Sequence, residues 1–254
     1  MPDPDLALLE SNVRAAGDIA RKYYGGDYKK WSKSGGSPVT EADLAVDQYL
    51  KTNLLSARPS YGWLSEESVD NAERLKTTHT FIVDPIDGTV AFLKQRPHFT
   101  ICAAIVTNGR PTSAVVYNPI LDECFTAQEN EAALLNNQPI HVSDRSSIED
   151  ISMLGPKTSF DAKWPTMRIT SLSSIAYRIA LVAAGKYDAM VSLSVKRDWD
   201  LAAADLIIHQ AGGLLTDASG KKLIYNLPAA SQRSTIAAGP QLHGLLLSHL
   251  EKIT

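Results

Sequence analysis

The segment Asp84-Pro85-Ile86-Asp87-Gly88-Thr89 limits, more than any other, what this chain can fold into. It follows an apolar run, Phe81-Ile82-Val83, that predicts a buried strand ending at Asp84. Because proline cannot donate a ladder hydrogen bond and glycine permits a tight turn, the pattern predicts a sharp turn directly after the strand. Two carboxylates on such a rigid turn suit a hard divalent cation. An ordinary turn, in which the acids only cap backbone amides, is the alternative.

Three other segments place acids where a strand ends or a helix begins. The strand-like Trp63-Leu64-Ser65 runs directly into Glu66, and Thr40 and Asp43 are spaced as in a capping box at a helix start. Asp200 opens a helix of small residues, where the positive end of the dipole tolerates a carboxylate, so a helix cap is the alternative to a ligand. Each segment has a local explanation, but the four together favour a shared acidic site.

These four segments, in this order, resemble the inositol monophosphatase superfamily of magnesium-dependent, lithium-sensitive phosphatases. The resemblance spans nearly the whole chain, from about Leu6 to the last helix, and its most specific parts are Asp-Pro-Ile-Asp-Gly-Thr and Trp-Asp-x-Ala-Ala. It implies a mixed α/β (α+β) fold, the layered αβαβα sandwich of the inositol monophosphatase/fructose-1,6-bisphosphatase type. It also implies two or three Mg²⁺ ions as cofactors.

The resemblance implies a role for each matching residue. The implied metal ligands, with Asp84 shared by both ions, are Glu66, Asp84 and the Ile86 carbonyl for the first Mg²⁺ and Asp84, Asp87 and Asp200 for the second. Thr89 and Asp43 would together activate the attacking water as the catalytic pair. The backbone amides of Gly88 and Thr89 would bind phosphate at the following helix start. Glu67 matches a position that is usually not a direct ligand.

The chemistry explains why such a set is needed. A phosphate monoester hydrolyses slowly, because its dianion repels nucleophiles and its leaving alkoxide is poor. Divalent ions neutralise the phosphate, lower the pKa of a bound water and stabilise the departing oxygen. A hydrogen bond between Asp43 and Thr89 would orient the hydroxyl toward that water. Neither histidine nor cysteine is required, which agrees with six histidines that form no motif.

Composition limits the class of protein and the cellular compartment that fit this chain. A chain of 254 residues, 44% of them apolar, can bury one large core or two adjoining ones. A net charge of −3 gives no electrostatic case for binding a nucleic-acid polymer or a membrane. Cys102 and Cys124 lie in apolar stretches and are predicted to be buried thiols of a reducing compartment. The acidic start lacks a signal-peptide pattern and no apolar run is long enough to span a bilayer, so we expect a cytoplasmic protein.

Periodicity predicts a chain in two parts. The predicted helices are an amphipathic first helix from Leu6 to Tyr23, a second ending near Arg58-Pro59, and Ser174–Ala184, Leu201–Gln210 and Gln241–Lys252. The predicted strands are Gly62–Leu64, Phe81–Val83, Thr100–Val106, Ser113–Val116, Glu123–Ala127, Asp188–Ser192, Leu214–Thr216 and Thr235–Ala237. Gly109-Arg110-Pro111 is predicted as a hairpin turn, and the glycines after the first helix begin a polar loop through Ser37. The predicted boundary, Ser143–Asp150, divides an N-terminal part (1–145) with most metal ligands from a C-terminal part (146–254) with Asp200 and the substrate-specificity residues.

Substrate choice depends on the residues before Trp199. In the inositol-specific members a glutamate several residues before the Trp-Asp motif grips ring hydroxyls, whereas this chain has no acid at that place and carries Lys196 and Arg197. Arg178 occupies a position where the nucleotide branch carries a lysine. These three cations suit a second phosphate on the substrate, although a solvated loop is the alternative for Lys196 and Arg197. The chain therefore most resembles the bacterial 3′(2′),5′-bisphosphate nucleotidase branch, which removes the 3′-phosphate of adenosine 3′,5′-bisphosphate.

Other interpretations stay open beside this one. Within enzymes, the alternative is an inositol-1-monophosphatase or a broad sugar-phosphate phosphatase, although Val90-Ala91-Phe92 departs from the x-Asn-Phe of the inositol branch. Outside enzymes, the alternative is a regulatory binding protein, which the complete acid set disfavours because burying unneeded like charges is costly. The expected partner is a small phosphorylated substrate. Many family members are dimers, so the resemblance allows a homodimer.

Overall fold

The computed structural model describes residues 4–32 and 38–253. Its helices in that part of the chain are α1 (Pro4–Tyr23), α2 (Glu41–Ala57), α3 (Thr89–Leu93), α4 (Ile175–Ala183), α5 (Asp198–Gln210) and α6 (Pro240–Ile253). In α1, Leu9, Val13 and Ala16 are buried on one face, which is why the sequence shows helical spacing there. None of the described helices combines the length and the apolar character needed to cross a bilayer.

The strands form two larger sheets and two short ribbons. The seven-stranded sheet, here called the large sheet, contains β3 (Gly62–Ser65), β4 (His79–Asp87), β5 (Thr100–Thr107), β6 (Arg110–Asn118), β7 (Glu123–Gln128), β8 (Leu134–Leu135) and β9 (Gln138–Pro139), in that order. The five-stranded sheet, here called the small sheet, is ordered β11-β10-β12-β16-β14, with β10 (Ser152–Leu154), β11 (Arg168–Thr170), β12 (Ala189–Ser192), β14 (Leu214–Thr216) and β16 (Thr235–Ala238). The ribbons pair β1 (Lys30–Ser32) with β2 (Pro38–Thr40) and β13 (Lys196–Arg197) with β15 (Ser231–Gln232).

Alternating side chains place helices on both faces of the large sheet. On β5, one set of residues packs with α1 and α2, namely Ile101, Ala103 and Ile105. The other set packs in the same core as α4 and α5, namely Cys102, Ala104 and Val106. Because successive strand residues point to opposite faces, an uninterrupted apolar run is what a strand buried on both sides requires.

The small sheet adds the last two layers. Its residues Met190, Leu215 and Ala237 share the core of α4 and α5, whereas its opposite face packs against Leu242 and Leu246 of α6. The order of layers is therefore helices α1 and α2, large sheet, helices α4 and α5, small sheet, helix α6. This is the layered αβαβα sandwich, and the predicted mixed α/β fold class is confirmed.

Most predicted elements are present, with differences at their ends. The turn predicted at Gly109-Arg110-Pro111 is wrong in position, because Arg110 and Pro111 already belong to β6 and the turn residues are Asn108 and Gly109. Both turn residues have positive φ, as a two-residue hairpin loop requires. Strands β10 and β11 were not predicted. The end of the predicted polar loop, residues 33–37, lies outside the described residues.

The two-part division stays a prediction. The large sheet ends at Pro139 and the small sheet begins at Ser152, so the change of sheet falls around the expected boundary. However, α4 and α5 come from the second part and share one core with the large sheet of the first. The predicted metal ligands come from both parts, and they can therefore meet where the layers pack together.

Candidate active site

A bulge near the end of β4 shapes the centre of the site. Asp84 pairs with Cys102 and Asp87 pairs with Thr100, so β4 uses one more residue than β5 between these two pairs. The prediction that the strand ends at Asp84 is therefore wrong, since β4 continues to Asp87. The extra residue accommodates Pro85, which has no amide hydrogen to pair. The bulge allows both carboxylates of the motif to lie beside the cavity.

Gly88 makes the next turn and begins α3. Its φ is +98°, and a Cβ built there would lie 3.0 Å from the amide nitrogen of Ser174. Glycine is therefore required both by the backbone conformation and by the close approach of α4. Ala91, which replaces the asparagine usual in the inositol branch, is buried in the core beside Phe92. This substitution thus removes an amide from a position that faces the core.

The acidic segments meet in one cavity of about 210 Å³. Its described lining residues are Pro38, Glu66, Asp84, Ile86, Asp87, Gly88, Thr89, Val90, Ser173 and Asp200. All five predicted metal-binding residues are in this set, together with both residues predicted to bind phosphate through their amides. The structure therefore brings together side chains from β4, from the turn after β3 and from the start of α5.

Asp43 lies behind Thr89 and is held by the start of α2. Its Oδ2 accepts hydrogen bonds from the Thr40 amide at 2.8 Å and from the Thr40 hydroxyl at 2.5 Å, which confirms the predicted capping box. The Thr89 hydroxyl lies 3.4 Å from Oδ1 of Asp43 and 3.2 Å from the Ile86 carbonyl oxygen. Its single proton thus has two acceptors, one of them the predicted Asp43.

Asp87 also holds the first turn of α4. Its Oδ2 accepts hydrogen bonds from the Ser174 hydroxyl at 2.6 Å and from the Ala176 amide at 2.7 Å. Its Oδ1 accepts a longer one, of 3.3 Å, from the Ile175 amide. The positive end of the helix dipole adds to these contacts. Asp87 is therefore both a wall of the cavity and the link between β4 and α4.

Asp200 lies in the first turn of α5. The helix begins at Asp198, three residues before the predicted start at Leu201, and Oδ2 of Asp200 accepts a 2.7 Å hydrogen bond from the Arg197 amide. A local capping contact, the alternative raised from the sequence, is therefore present. This contact occupies only one side of Oδ2. Asp200 still lines the cavity.

Burial and mutual repulsion disturb the proton equilibria of these acids. Burial raises the pKa of Asp43 to about 6 and that of Asp87 to about 6, against the opposing effect of their hydrogen bonds. Burial and then the charge of Asp87 raise the pKa of Asp200 to about 7. The pKa of Asp84 rises well above its usual range, through burial first and then through Glu66 and Asp87. The cavity thus gathers more negative charge than its surroundings neutralise.

The residues present fit a hard divalent cation. Their donors are carboxylate and carbonyl oxygens, the ligands that Mg²⁺ prefers, and their raised pKa values show that a positive charge would be favoured. Within residues 4–32 and 38–253, however, no three acidic, histidine or cysteine side chains are arranged to hold a metal ion as they stand. The chemistry of the donor set therefore fits Mg²⁺, while the number of ions stays a prediction.

The three predicted substrate cations lie outside the acidic wall. Arg178 is buried, its Nε donates to the Ser174 carbonyl at 3.2 Å, and burial lowers its pKa against the opposing charges of Asp87 and Asp200. Lys196 donates to the Ser194 hydroxyl at 2.6 Å. Arg197 is exposed, with its guanidinium 5.9 Å from the centre of the Trp199 ring.

Among the described residues that line the cavity, none is a cation. The assignment of Arg178, Lys196 and Arg197 to substrate binding therefore stays a prediction.

Comparison with known proteins agrees with this geometry. The sequence model of the family described as "Inositol monophosphatase family" matches residues 1–254. The chain belongs to the inositol monophosphatase family.

Two relatives and one solved structure show the extent of the similarity. An inositol-1-monophosphatase of Rhizobium meliloti is 32% identical over 233 residues, which are 84% of this chain and 85% of the relative. A fructose-1,6-bisphosphatase/inositol-1-monophosphatase of Thermotoga maritima is 34% identical over 192 residues, 72% of this chain and 73% of the relative. The crystal structure of the extragenic suppressor protein suhB from Bartonella henselae superimposes with a TM-score of 0.86 at 28% identity, over 99% of this chain and 100% of that one. Family membership places the chain among phosphatases that act on small phosphorylated substrates.

Two residues that support the acids of this family member, Ser174 and Asp47, were not predicted. Ser174 binds Asp87 from a position 87 residues away in sequence. A serine before an apolar helix is a cap signal, and Ser174 does cap α4, but that local signal does not reveal the partner in β4. Asp47 binds Ser65 and Ser68 on either side of Glu66. Its only sequence signal is its position one turn after Asp43 on α2.

Proposed function

We propose that this chain is a magnesium-dependent phosphomonoesterase that uses an activated water as its nucleophile. The observation that carries the proposal is the cavity that Glu66, Asp84, Asp87 and Asp200 line together with Ile86. Four carboxylates around one cavity, three of which (Asp84, Asp87 and Asp200) have raised pKa values, are costly to hold together unless they bind a cation. The cation that a phosphatase binds at this place would offset this cost.

The roles of the residues follow from their surroundings. Glu66, Asp84, Ile86, Asp87 and Asp200 would hold Mg²⁺, which when bound supplies positive charge to the phosphate and acidifies a water. Asp43, fixed by two hydrogen bonds from Thr40, accepts a hydrogen bond from the Thr89 hydroxyl. The lone pairs of that hydroxyl can then accept a hydrogen bond from the attacking water and orient it. The amides of Gly88 and Thr89 would bind phosphate oxygens beside Asp87.

Removal of the metal tests the proposal directly. We expect no phosphate release from adenosine 3′,5′-bisphosphate, inositol 1-phosphate or a generic aryl phosphate after chelation, and recovery when Mg²⁺ is added. Full turnover in excess chelator would refute the proposal. Lithium added with Mg²⁺ should inhibit, because Asp84, Asp87 and Asp200 are the acids at which the family's inhibition is attributed to lithium replacing the second ion. Insensitivity to lithium would indicate a rearranged second site.

For the substrate, we propose adenosine 3′,5′-bisphosphate. The support is the absence of a glutamate several residues before the Trp199-Asp200 motif and the presence there of Lys196 and Arg197, which are suited to a second phosphate. The second candidate is inositol 1-phosphate or a sugar phosphate, which the names of the Rhizobium and Thermotoga relatives favour. Comparing kcat/KM for the nucleotide bisphosphate, inositol 1-phosphate and fructose 1,6-bisphosphate separates these candidates. A preference for either of the last two would overturn the nucleotide assignment and leave the phosphatase assignment in place.

A regulatory binding protein is the non-enzymatic alternative. Such a protein has no need of four adjoining carboxylates, three of them with raised pKa values. Phosphate release from none of the three substrates, with Mg²⁺ binding intact, would favour it.

The buried thiols Cys102 and Cys124 support a reducing, cytoplasmic location. We also propose that the protein forms a homodimer, which light scattering would test.

A further inference from the structure

A second buried aspartate of α2 lies beside the acidic cavity. Asp47 follows Asp43 by one helical turn and is only 7% exposed. Its Oδ1 accepts a hydrogen bond from the Ser65 hydroxyl, and its Oδ2 accepts one of 2.8 Å from the Ser68 hydroxyl. Burying a carboxylate is costly unless its oxygens are paired, and both oxygens of Asp47 are paired by these serines.

The two serines lie on either side of Glu66. Ser65 is the last residue of β3, and Ser68 follows two residues after Glu66. The Ser68 oxygen also accepts a hydrogen bond of 3.1 Å from Nε1 of Trp63 and one of 3.5 Å from Nζ of Lys51. The turn that carries Glu66 is therefore attached to α2 at both of its ends.

The backbone hydrogen bond between Glu66 and β4 is long. The Glu66 amide donates to the Val83 carbonyl at 3.4 Å, which is long for a ladder hydrogen bond. The hydroxyl contacts with Asp47 supply the fixed geometry that this bond does not. The carboxylate of Asp47 also belongs to the same helix as Asp43, so one rigid element holds both the Glu66 turn and the acid behind Thr89.

We propose that Asp47 is a positioning residue that sets the place of Glu66 for cation binding by clamping Ser65 and Ser68. The inference rests on the proposed function, because it takes Glu66 as a metal ligand. Groups that orient a ligand without touching the ion commonly change metal affinity by about 10- to 100-fold when they are removed. A turn released from α2 would allow Glu66 to move while the rest of the cavity stays in place.

The chain offers a matched control for this clamp. In the small sheet, Ser152 donates through its hydroxyl to Oδ2 of Asp188 at 2.8 Å, and Asp188 is 8% exposed. This is again a strand serine bound to a buried aspartate. Neither residue is among the described residues that line the acidic cavity. Ser65→Ala and Ser152→Ala thus each remove a hydrogen bond from a serine to an aspartate, the first at the proposed site and the second away from it.

The experiment measures Mg²⁺ binding to the full chain by calorimetry without substrate, for wild type, Ser65→Ala, Ser68→Ala, Asp47→Asn and Ser152→Ala. Amide hydrogen exchange of residues 65–70 in the metal-free protein provides the second readout. We expect the dissociation constant for Mg²⁺ to rise about tenfold in Ser65→Ala and Asp47→Asn, with faster exchange in 65–70. We expect Ser152→Ala to match wild type in both measurements.

The outcomes separate this inference from the proposed function. Unchanged Mg²⁺ affinity in both Ser65→Ala and Ser68→Ala, or an equal loss in Ser152→Ala, would overturn the positioning role even though the protein is a magnesium enzyme. Absence of Mg²⁺ binding by wild type would refute the proposed function and this inference with it. If Asp47→Asn unfolds, the two serine variants decide the question, because alanine is readily accommodated in their place.

Discussion

The acidic side chains that line the cavity and the three cations predicted to bind substrate are held in different ways. The acidic cluster, defined as Glu66, Asp84, Asp87 and Asp200, lines a cavity built from three parts of the chain, and Asp87 alone accepts three hydrogen bonds from α4. The cationic group, defined as Arg178, Lys196 and Arg197, makes mostly local contacts, such as that of Lys196 with Ser194. The difference shows that contacts from distant parts of the chain fix the acidic cluster, whereas residues nearby in sequence hold most of the cationic group.

The largest effect should come from the acidic cluster. Asp87→Asn and Asp200→Asn each remove charge but keep shape, so we expect turnover to fall on the order of a thousandfold at saturating Mg²⁺. Asp188→Asn, which changes a buried aspartate away from the cavity, is the control and should keep its rate. Circular dichroism checks that each variant is folded. Near wild-type turnover in either test variant would make that residue a helix cap alone.

The close contact between Gly88 and Ser174 should have the next largest effect. Gly88→Ala adds a Cβ that would lie 3.0 Å from the Ser174 amide nitrogen, whereas Gly212→Ala, with φ of +81°, meets nothing within 4 Å. Both variants should lose about 1–2 kcal/mol of unfolding free energy through left-handed backbone strain.

Only Gly88→Ala should also displace the turn beside Asp87, with a loss of kcat of about a hundredfold. Denaturant unfolding and steady-state kinetics measure the two effects separately. Equal kcat in the two glycine variants would show that the site tolerates movement between β4 and α4.

A smaller and selective effect is expected from the cationic group. Lys196→Gln should lower kcat/KM for adenosine 3′,5′-bisphosphate about tenfold and leave 2′-AMP unchanged, because one charge-assisted contact to the second phosphate is lost. Lys163→Gln, which changes an exposed lysine bound to the Ile253 carbonyl, is the control. An equal loss with both nucleotides would mean that Lys196 acts on the acidic cluster instead.

The smallest effect concerns the stability of the metal-free protein. The pKa values of Asp87 and Asp200 are raised to about 6 and about 7 by burial, so the native state binds more protons than the unfolded chain between their ordinary pKa and these values. Stability should therefore fall as the pH rises through this window. We expect the melting temperature to drop by a few degrees between about pH 5 and about pH 8, and Mg²⁺ to restore it more at the higher pH. A melting temperature that rises over this range would contradict the charge balance described here.

Elements with a repeated apolar pattern could be predicted from the sequence, and strands defined mainly by their pairing could not. The spacing of Leu9, Val13 and Ala16 predicts α1 because a helix of that length repeats its buried face several times. Strands β10 and β11 have three residues each and are defined by pairing with each other and with β12, which no local pattern records. The bulge in β4 depends likewise on its register against β5, although Pro85 marks the place.

The acids of the site could be predicted because each lies in a motif with its own spacing. The groups that hold them could not, because they come from distant parts of the chain or carry ordinary local signals. Ser174 has the signal of a helix cap and uses the same hydroxyl to bind Asp87. Arg178 has the signal of a cation suited to phosphate, but in the structure it is buried beside acids, and burial cannot be deduced from one charged residue in a helix.

The position of α5 between the two sheets has a consequence for how the chain emerges during synthesis. Asp200 stands at the start of this helix, and the helix packs against strands of both sheets. A ribosome releases β4 and its carboxylates well before α5, so a nascent chain carries most of the acidic cluster before its last member exists. Docking of α5 then closes the shared core and completes the cluster in one event. A fragment that ends before Asp198 should accordingly lack both the closed core and the complete acidic cluster. It would also expose apolar surface of the large sheet, through which such fragments would aggregate.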